Sequence, residues 1–217
     1  MDAVEGFSPE TMDFLWGIRM NNIRDWFLEH KKAYIDSLYE PMKALGRDLY
    51  APFANIPNLQ MKVSRIYRDA RMHHPDPYKE SLWLCLRQDV EWWGENPCLY
   101  LEINPQGVDY GFFFWKPRSD ALERFRRDME ADPAPLRELL QKARRETGMD
   151  LQVQLYKRPK VSKNPDAQEF FAWKGMIGMV RHLDPGPEMF GPELKDRAAG
   201  DFAALYPVFA FFTRYGA

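Results

Sequence analysis

Two cysteines are all that the chain contains. Cys85 and Cys98 sit among apolar neighbours with no metal-ligand spacing, so they read as buried thiols rather than a disulfide or a metal knuckle. Long apolar runs are missing too. Nothing approaches the roughly 18 residues that a membrane-spanning helix needs. The start Met1-Asp2-Ala3-Val4-Glu5 has no basic region followed by an apolar stretch, so a cytoplasmic protein with no membrane partner is expected. Net charge is nearly absent: 30 Lys and Arg against 32 Asp and Glu leave −2 at pH 7. No whole-molecule field therefore draws the protein onto nucleic acid or anionic lipid, and any anion site must be local. There is no phosphate-cradling P-loop, no GxGxxG, no GxSxG elbow, and no cysteine beside a candidate base. The histidines His30, His73, His74 and His182 lack HxH or HxxxH spacing, so neither a metal nor a cofactor is expected.

What is there belongs to a globular chain. Hydrophobic residues make up 45% and aromatic residues 15% of 217 positions, enough for one substantial core built largely from rings. Ser8-Pro9-Glu10 opens a first helix with a hydroxyl at the cap and proline where its missing N–H is harmless. Asn22 with Asp25 three residues on suits the cap of a second helix carrying Trp26, Phe27, Tyr34, Ile35 and Leu38. Pro41 either starts a third helix or kinks the second, and Met42, Leu45 and Leu49 continue the apolar stripe.

Period-two alternation takes over after Pro57. Strands are predicted over Met61–Ile66 and Leu82–Arg87, and a hairpin joins Cys98–Ile103 to Val108–Trp115 through Asn104-Pro105-Gln106-Gly107. Helices follow over Ser119–Ala131 and Ala134–Thr147, the latter ending at Gly148 as a left-handed cap. Leu151–Tyr156 and Gly175–Arg181 read as strands, Asp166–Ala172 as a short helix, and a closing helix from Pro192 buries Phe202, Leu205 and Phe209. This order predicts an α+β fold: a single domain over residues 1–217, with helices packed on a mixed, mainly antiparallel sheet.

Four segments stand out against this background: Asn21-Asn22-x-x-x-Trp26-Phe27, Ser64-Arg65-x-x-Arg68-Asp69-x-Arg71, Pro77-Tyr78-Lys79 and Lys157-Arg158-Pro159. In order and spacing they resemble the uncharacterised family called domain of unknown function 2461, over nearly the whole chain. The resemblance implies a compact α+β domain and directs attention to the arginine loop. It implies no reaction.

The candidate site is built from cations. Arg65, Arg68 and Arg71 recur every third residue around Asp69, and Tyr78 and Lys79 follow shortly after. Guanidiniums this close repel one another unless an anion separates them, and their planar forks match phosphate or carboxylate. Arg65 is expected on the strand face opposite Ser64 and Ile66. Lys157 and Arg158 form a second basic segment that would converge on the first only if their strands were neighbours. Glu102, a carboxylate on an otherwise apolar strand, requires a cationic partner. Trp115 closes an aromatic run in which Phe112 and Phe114 face one way, Phe113 and Trp115 the other. The reading favoured is a small-molecule binding protein or enzyme whose pocket takes a phosphate or carboxylate. Two alternatives use the same residues: a nucleic-acid or protein interaction module, with nucleic acid the less favoured partner, and a purely structural arginine network neutralised by the protein's own acids.

Overall fold

The computed structural model describes residues 6–69, 75–90 and 93–216. Helix α1 spans Pro9–Met20 and begins as its sequence demands: the Ser8 amide donates to Thr11 Oγ1 at 3.0 Å, and proline occupies the first turn. Helix α2 (Arg24–Ala33) runs without a break through a π-helical stretch, Tyr34–Tyr39, into α3 (Glu40–Tyr50). Pro41 explains the wider turn. It has no N–H to give the Ser37 carbonyl, and the Thr11 hydroxyl of α1 donates to that oxygen instead, at 2.6 Å. The orphan acceptor made by proline thus ties two helices together. Met42, Leu45 and Leu49 form the buried stripe of α3. Asn22 does not cap α2; Ile23 holds the cap position with no side-chain bond, and Asn22 is used elsewhere.

Six strands follow: β1 (Leu59–Val63), β2 (Leu82–Gln88), β3 (Pro97–Asn104), β4 (Gly107–Phe114), β5 (Leu151–Leu155) and β6 (Trp173–Leu183). They form one antiparallel sheet in the order β1-β2-β3-β4-β6-β5. In the β3–β4 turn, Asn104 Oδ1 accepts the Gln106 amide at 2.7 Å. Gly107 next to it has φ +134°, and a Cβ there would lie 2.0 Å from the Leu183 carbonyl oxygen, so only glycine fits. Helices α4 (Ser119–Ala131) and α5 (Ala134–Thr147) stand where periodicity puts them. Gly148, at φ +72°, returns its amide to the Arg144 carbonyl at 2.8 Å. Two single-turn helices, α6 (Gln168–Phe171) and α7 (Pro187–Phe190), precede the closing α8 (Pro192–Thr213). Among the described residues no helix is long and apolar enough to cross a membrane.

Contacts divide the described chain into two compact units. The first comprises residues up to Leu86 with Tyr100–Tyr110 and His182–Ala199. Its core takes Phe14, Ile18, Phe27, Leu38 and Met42 from helices and Leu82, Leu84, Leu101, Ile103 and Tyr110 from strands. The second takes Arg87–Leu99, Gly111–Arg181 and the rest from Gly200. Rings dominate it: Phe212 lies 5.5 Å from Phe112 and 5.9 Å from Phe125, which stacks on Trp173 at 5.3 Å. Tyr215 donates its hydroxyl to Asp128 at 2.6 Å, a polar seal on that cluster. The buried Arg126 guanidinium lies over the Tyr156 ring and donates to the Trp173 carbonyl at 2.8 Å.

Asn22 serves the first unit as a clamp. Its Nδ2 donates to the Tyr78 carbonyl at 2.9 Å while its Oδ1 accepts the Tyr78 amide at 3.0 Å. Each bond contributes about 0.5–1.5 kcal/mol net, more where the backbone group is left dry. Asn22→Ala is therefore expected to destabilise the protein by about 2 kcal/mol, read as a lower urea midpoint at unchanged slope. A midpoint equal to wild type would show that the clamp carries no load.

Candidate functional site

Backbone pairing continues beyond β1 in an irregular form. Ser64 donates its amide to the Trp83 carbonyl at 2.8 Å, Lys79 to Ile66 at 2.7 Å and Arg68 to Pro77 at 2.9 Å, with Tyr67 and Tyr78 bridged antiparallel. The arginine segment is thus one arm of a zipped hairpin. Alternation then sorts its side chains. Arg65 is exposed while Ser64 and Ile66 are buried, as the two-residue period requires. Tyr67 and Tyr78 turn towards Phe27, with ring centroids at 5.7 and 4.3 Å. Tyr78 is buried there, and burial first, then Tyr67, raises its phenol above the usual range. Arg68 is half-buried, with Nη2 3.9 Å from Glu80 Oε1, and the other Glu80 oxygen lies 3.4 Å from Arg19 Nε. The protein's own acid therefore answers part of the charge on this arginine. Asp69 is exposed. Arg71, with His73 and His74, lies outside the described residues.

A second set of side chains shares the face of Lys79. Lys79, Ser81 and Trp83 recur every second residue, and across from them stands Glu102 of β3. The Ser81 hydroxyl donates to Glu102 Oε1 at 2.5 Å. The Lys79 ammonium lies 5.7 Å from the centre of the Trp83 ring. It is half-buried, and among the described residues it makes no hydrogen bond and no ion pair within 4.0 Å.

The electrostatics of this pair are opposed. Burial lowers the proton affinity of Lys79; the Glu102 charge pushes it back up and the Arg68 charge lowers it further. Burial raises Glu102, the Ser81 bond lowers it, Asp109 raises it and Lys79 lowers it. Each group is drawn towards its neutral form. The two charges act on each other without forming an ion pair within 4.0 Å.

Asp109 connects this face to His182. Asn104 donates to Asp109 Oδ2 at 3.2 Å, and His182 Nδ1 lies 2.9 Å from Asp109 Oδ1, with Asp184 3.5 Å from Nε2. The Asp109 bond, outweighing burial, lifts His182 above its usual value. Among the described residues no cluster of three or more His, Cys, Asp and Glu is placed to hold a metal ion. Ser81, Asp109 and His182 escaped the sequence reading as site residues. The first two carried one legible signal, their places in the same alternation as Lys79, Trp83 and Glu102.

The remaining predicted residues belong to the second unit. Trp115 is 52% exposed, 5.5 Å from the half-buried Phe113. Lys157 and Arg158 are exposed beyond β5, whose partner is β6, whereas β1 is followed in the sheet by β2. The two basic strand ends are therefore not on neighbouring strands, and the condition for their convergence fails.

With the clamp and the hairpin in view, three of the four sequence segments have structural roles, and a comparison with families bears out the resemblance: the family described as conserved hypothetical protein, DUF2461, matches residues 10–211. The chain belongs to the DUF2461 family. Two motifs of this DUF2461 chain are halves of one device. Asn22 holds the backbone of Tyr78 and Phe27 stacks on its ring, so Pro77-Tyr78-Lys79 is positioned by Asn21-Asn22-x-x-x-Trp26-Phe27. A comparison with curated proteins finds no match.

Carboxyl-carbon NMR is expected to place the Glu102 midpoint above the ordinary value of about 4.3. It should fall in Asp109→Asn and rise in Lys79→Met; a midpoint indifferent to both would refute the coupling. For His182 the folded value lies above the unfolded one, so its stabilisation is complete below about pH 6.5 and is lost as pH rises through the folded value. His182→Gln should therefore lower the melting temperature more at about pH 5.5 than at about pH 9. The effect stays below about 1 kcal/mol because the ring is nearly half exposed.

Proposed function

We propose that this protein is a small-molecule binding protein or enzyme whose ligand places a carboxylate or phosphate against Lys79, beside Arg68, with Ser81 and Glu102 as polar neighbours. The observation that carries this reading is the half-buried Lys79 ammonium, which among the described residues lacks any carboxylate within ion-pair range. A cation partly withdrawn from water without a partner loses hydration, a loss that giving up its proton or gaining an anion offsets. A ligand anion supplies that partner. The nearby Trp83 ring offers a planar wall, and with a net charge near zero any positive potential here is local rather than a whole-molecule field. A reducing cytoplasm is the setting we propose, since Cys85 and Cys98 form no disulfide. The nucleic-acid reading draws less support, because Arg65 follows β1 while Lys157 and Arg158 follow β5, and these two strands are not paired with each other.

A thermal-shift screen of carboxylated and phosphorylated metabolites tests the proposal. A true ligand at a hundred times its Kd adds about 2.7 kcal/mol, or roughly 5–10 °C in a protein of this size. Lys79→Met and Arg68→Ala should lose most of that shift. If no compound raises wild type more than Lys79→Met, the anion site is refuted. If Arg68→Ala fails to fold at all, the ion pair to Glu80 is the purpose of that arginine.

A further inference from the structure

The same cluster carries a more specific chemistry. We propose that Lys79 is an amine nucleophile that forms an imine with the carbonyl group of a small anionic substrate, an oxo acid or a phosphorylated aldehyde, with Glu102 as the proton donor. This rests on the anion-site reading and names the substrate class for it.

The geometry supplies what imine formation requires. The nucleophile must be an amine with neither a carboxylate nor a hydrogen-bond acceptor fastening its lone pair as ammonium, and among the described residues Lys79 is so placed. A second cation on its own face, Arg68, makes the ammonium form less favourable and at the same time offers the substrate's anionic group a bidentate fork. A carboxylic acid must stand near enough to deliver a proton to the departing oxygen. Glu102 stands on the strand beside that of Ser81, two residues on from Lys79, and is oriented by the Ser81 hydroxyl at 2.5 Å. The irregular hairpin fixes the lysine itself, whose amide is bonded to Ile66 at 2.7 Å.

The step balances without a further reactant. The neutral Lys79 nitrogen forms a bond to the carbonyl carbon as the C=O π pair moves onto oxygen, which takes the Glu102 proton; the nitrogen then returns one proton to Glu102. In the resulting carbinolamine, Glu102 protonates the hydroxyl, the C–O bond breaks, water departs, and the nitrogen lone pair closes the C=N bond. Amine, carboxylic acid and carbonyl compound thus become a protonated imine, a carboxylate and one water. The Glu102 carboxylate is left as counter-ion to the iminium.

Glyoxylate, which joins an aldehyde to a carboxylate, serves as probe. The intact protein is incubated with it and cyanoborohydride at about pH 7.5, and carboxymethylated lysines are mapped by peptide mass spectrometry. Each unit by which an amine's proton affinity falls raises its reactive fraction about tenfold. Lys79 is expected to be modified at least about tenfold faster than the exposed Lys62 and Lys157, and several-fold more slowly in Glu102→Gln. Lys79→Arg keeps the charge and should keep the anion-induced thermal shift while losing the modification at this position. Modification of Lys79 no faster than of Lys62 and Lys157 overturns the proposal even if anions still shift the melting temperature. Selective modification of Lys79 with no thermal shift from any anion would instead remove the anion site and leave the nucleophile.

Discussion

Everything described at the site depends on how Tyr78 is held. Its backbone is gripped on both polar groups by the Asn22 amide, its ring is stacked on Phe27, and its strand is bridged to Tyr67. One residue is thereby fixed by hydrogen bonding and by ring packing at once. Because side chains alternate along an extended chain, fixing Tyr78 inward settles the side on which Lys79 stands. The lysine gains a defined position without being tied by its own charge.

That arrangement puts opposing charges in a sequence along one face. Arg68 weighs against the charge of Lys79, Lys79 favours that of Glu102, Asp109 weighs against Glu102, and Asp109 in turn favours the protonated form of His182. A purely structural ion network would bring each cation onto an acid, as Glu80 is shared by Arg19 and Arg68. Lys79 and Glu102 depart from that pattern. Both are drawn out of water and both are pushed towards neutrality, an arrangement that stability alone does not favour and that acid–base chemistry uses.

Much of the fold was legible because it follows from local rules. The caps at Ser8 and Gly148, the bounds of α4 and α5, the β3–β4 hairpin and the shared face of Phe112 and Phe114 all come from periodicity and from residues with one conformational use. Local rules failed where a distant partner competed. Asn22 is a good helix cap, yet the two unpaired backbone groups of Tyr78 claim its amide. Pro41 was ambiguous until the Thr11 hydroxyl reached the carbonyl that it leaves open, which lets the helix continue through a π turn.

The same division runs through the site. Composition, charge balance and spacing by themselves determined that this is an α+β chain without nucleotide-binding or nucleophile-elbow motifs, that any anion site is local, and that Arg65, Arg68, Lys79 and Glu102 were worth following. Strand order and long-range contacts alone decided that β5 pairs with β6, that Glu80 takes Arg68, that Ser81 bonds Glu102 and that His182 bonds Asp109. The reason is physical: the sign and period of side chains are written along the chain, whereas which charge meets which depends on pairing between segments tens of residues apart, and that is settled only when the whole core closes.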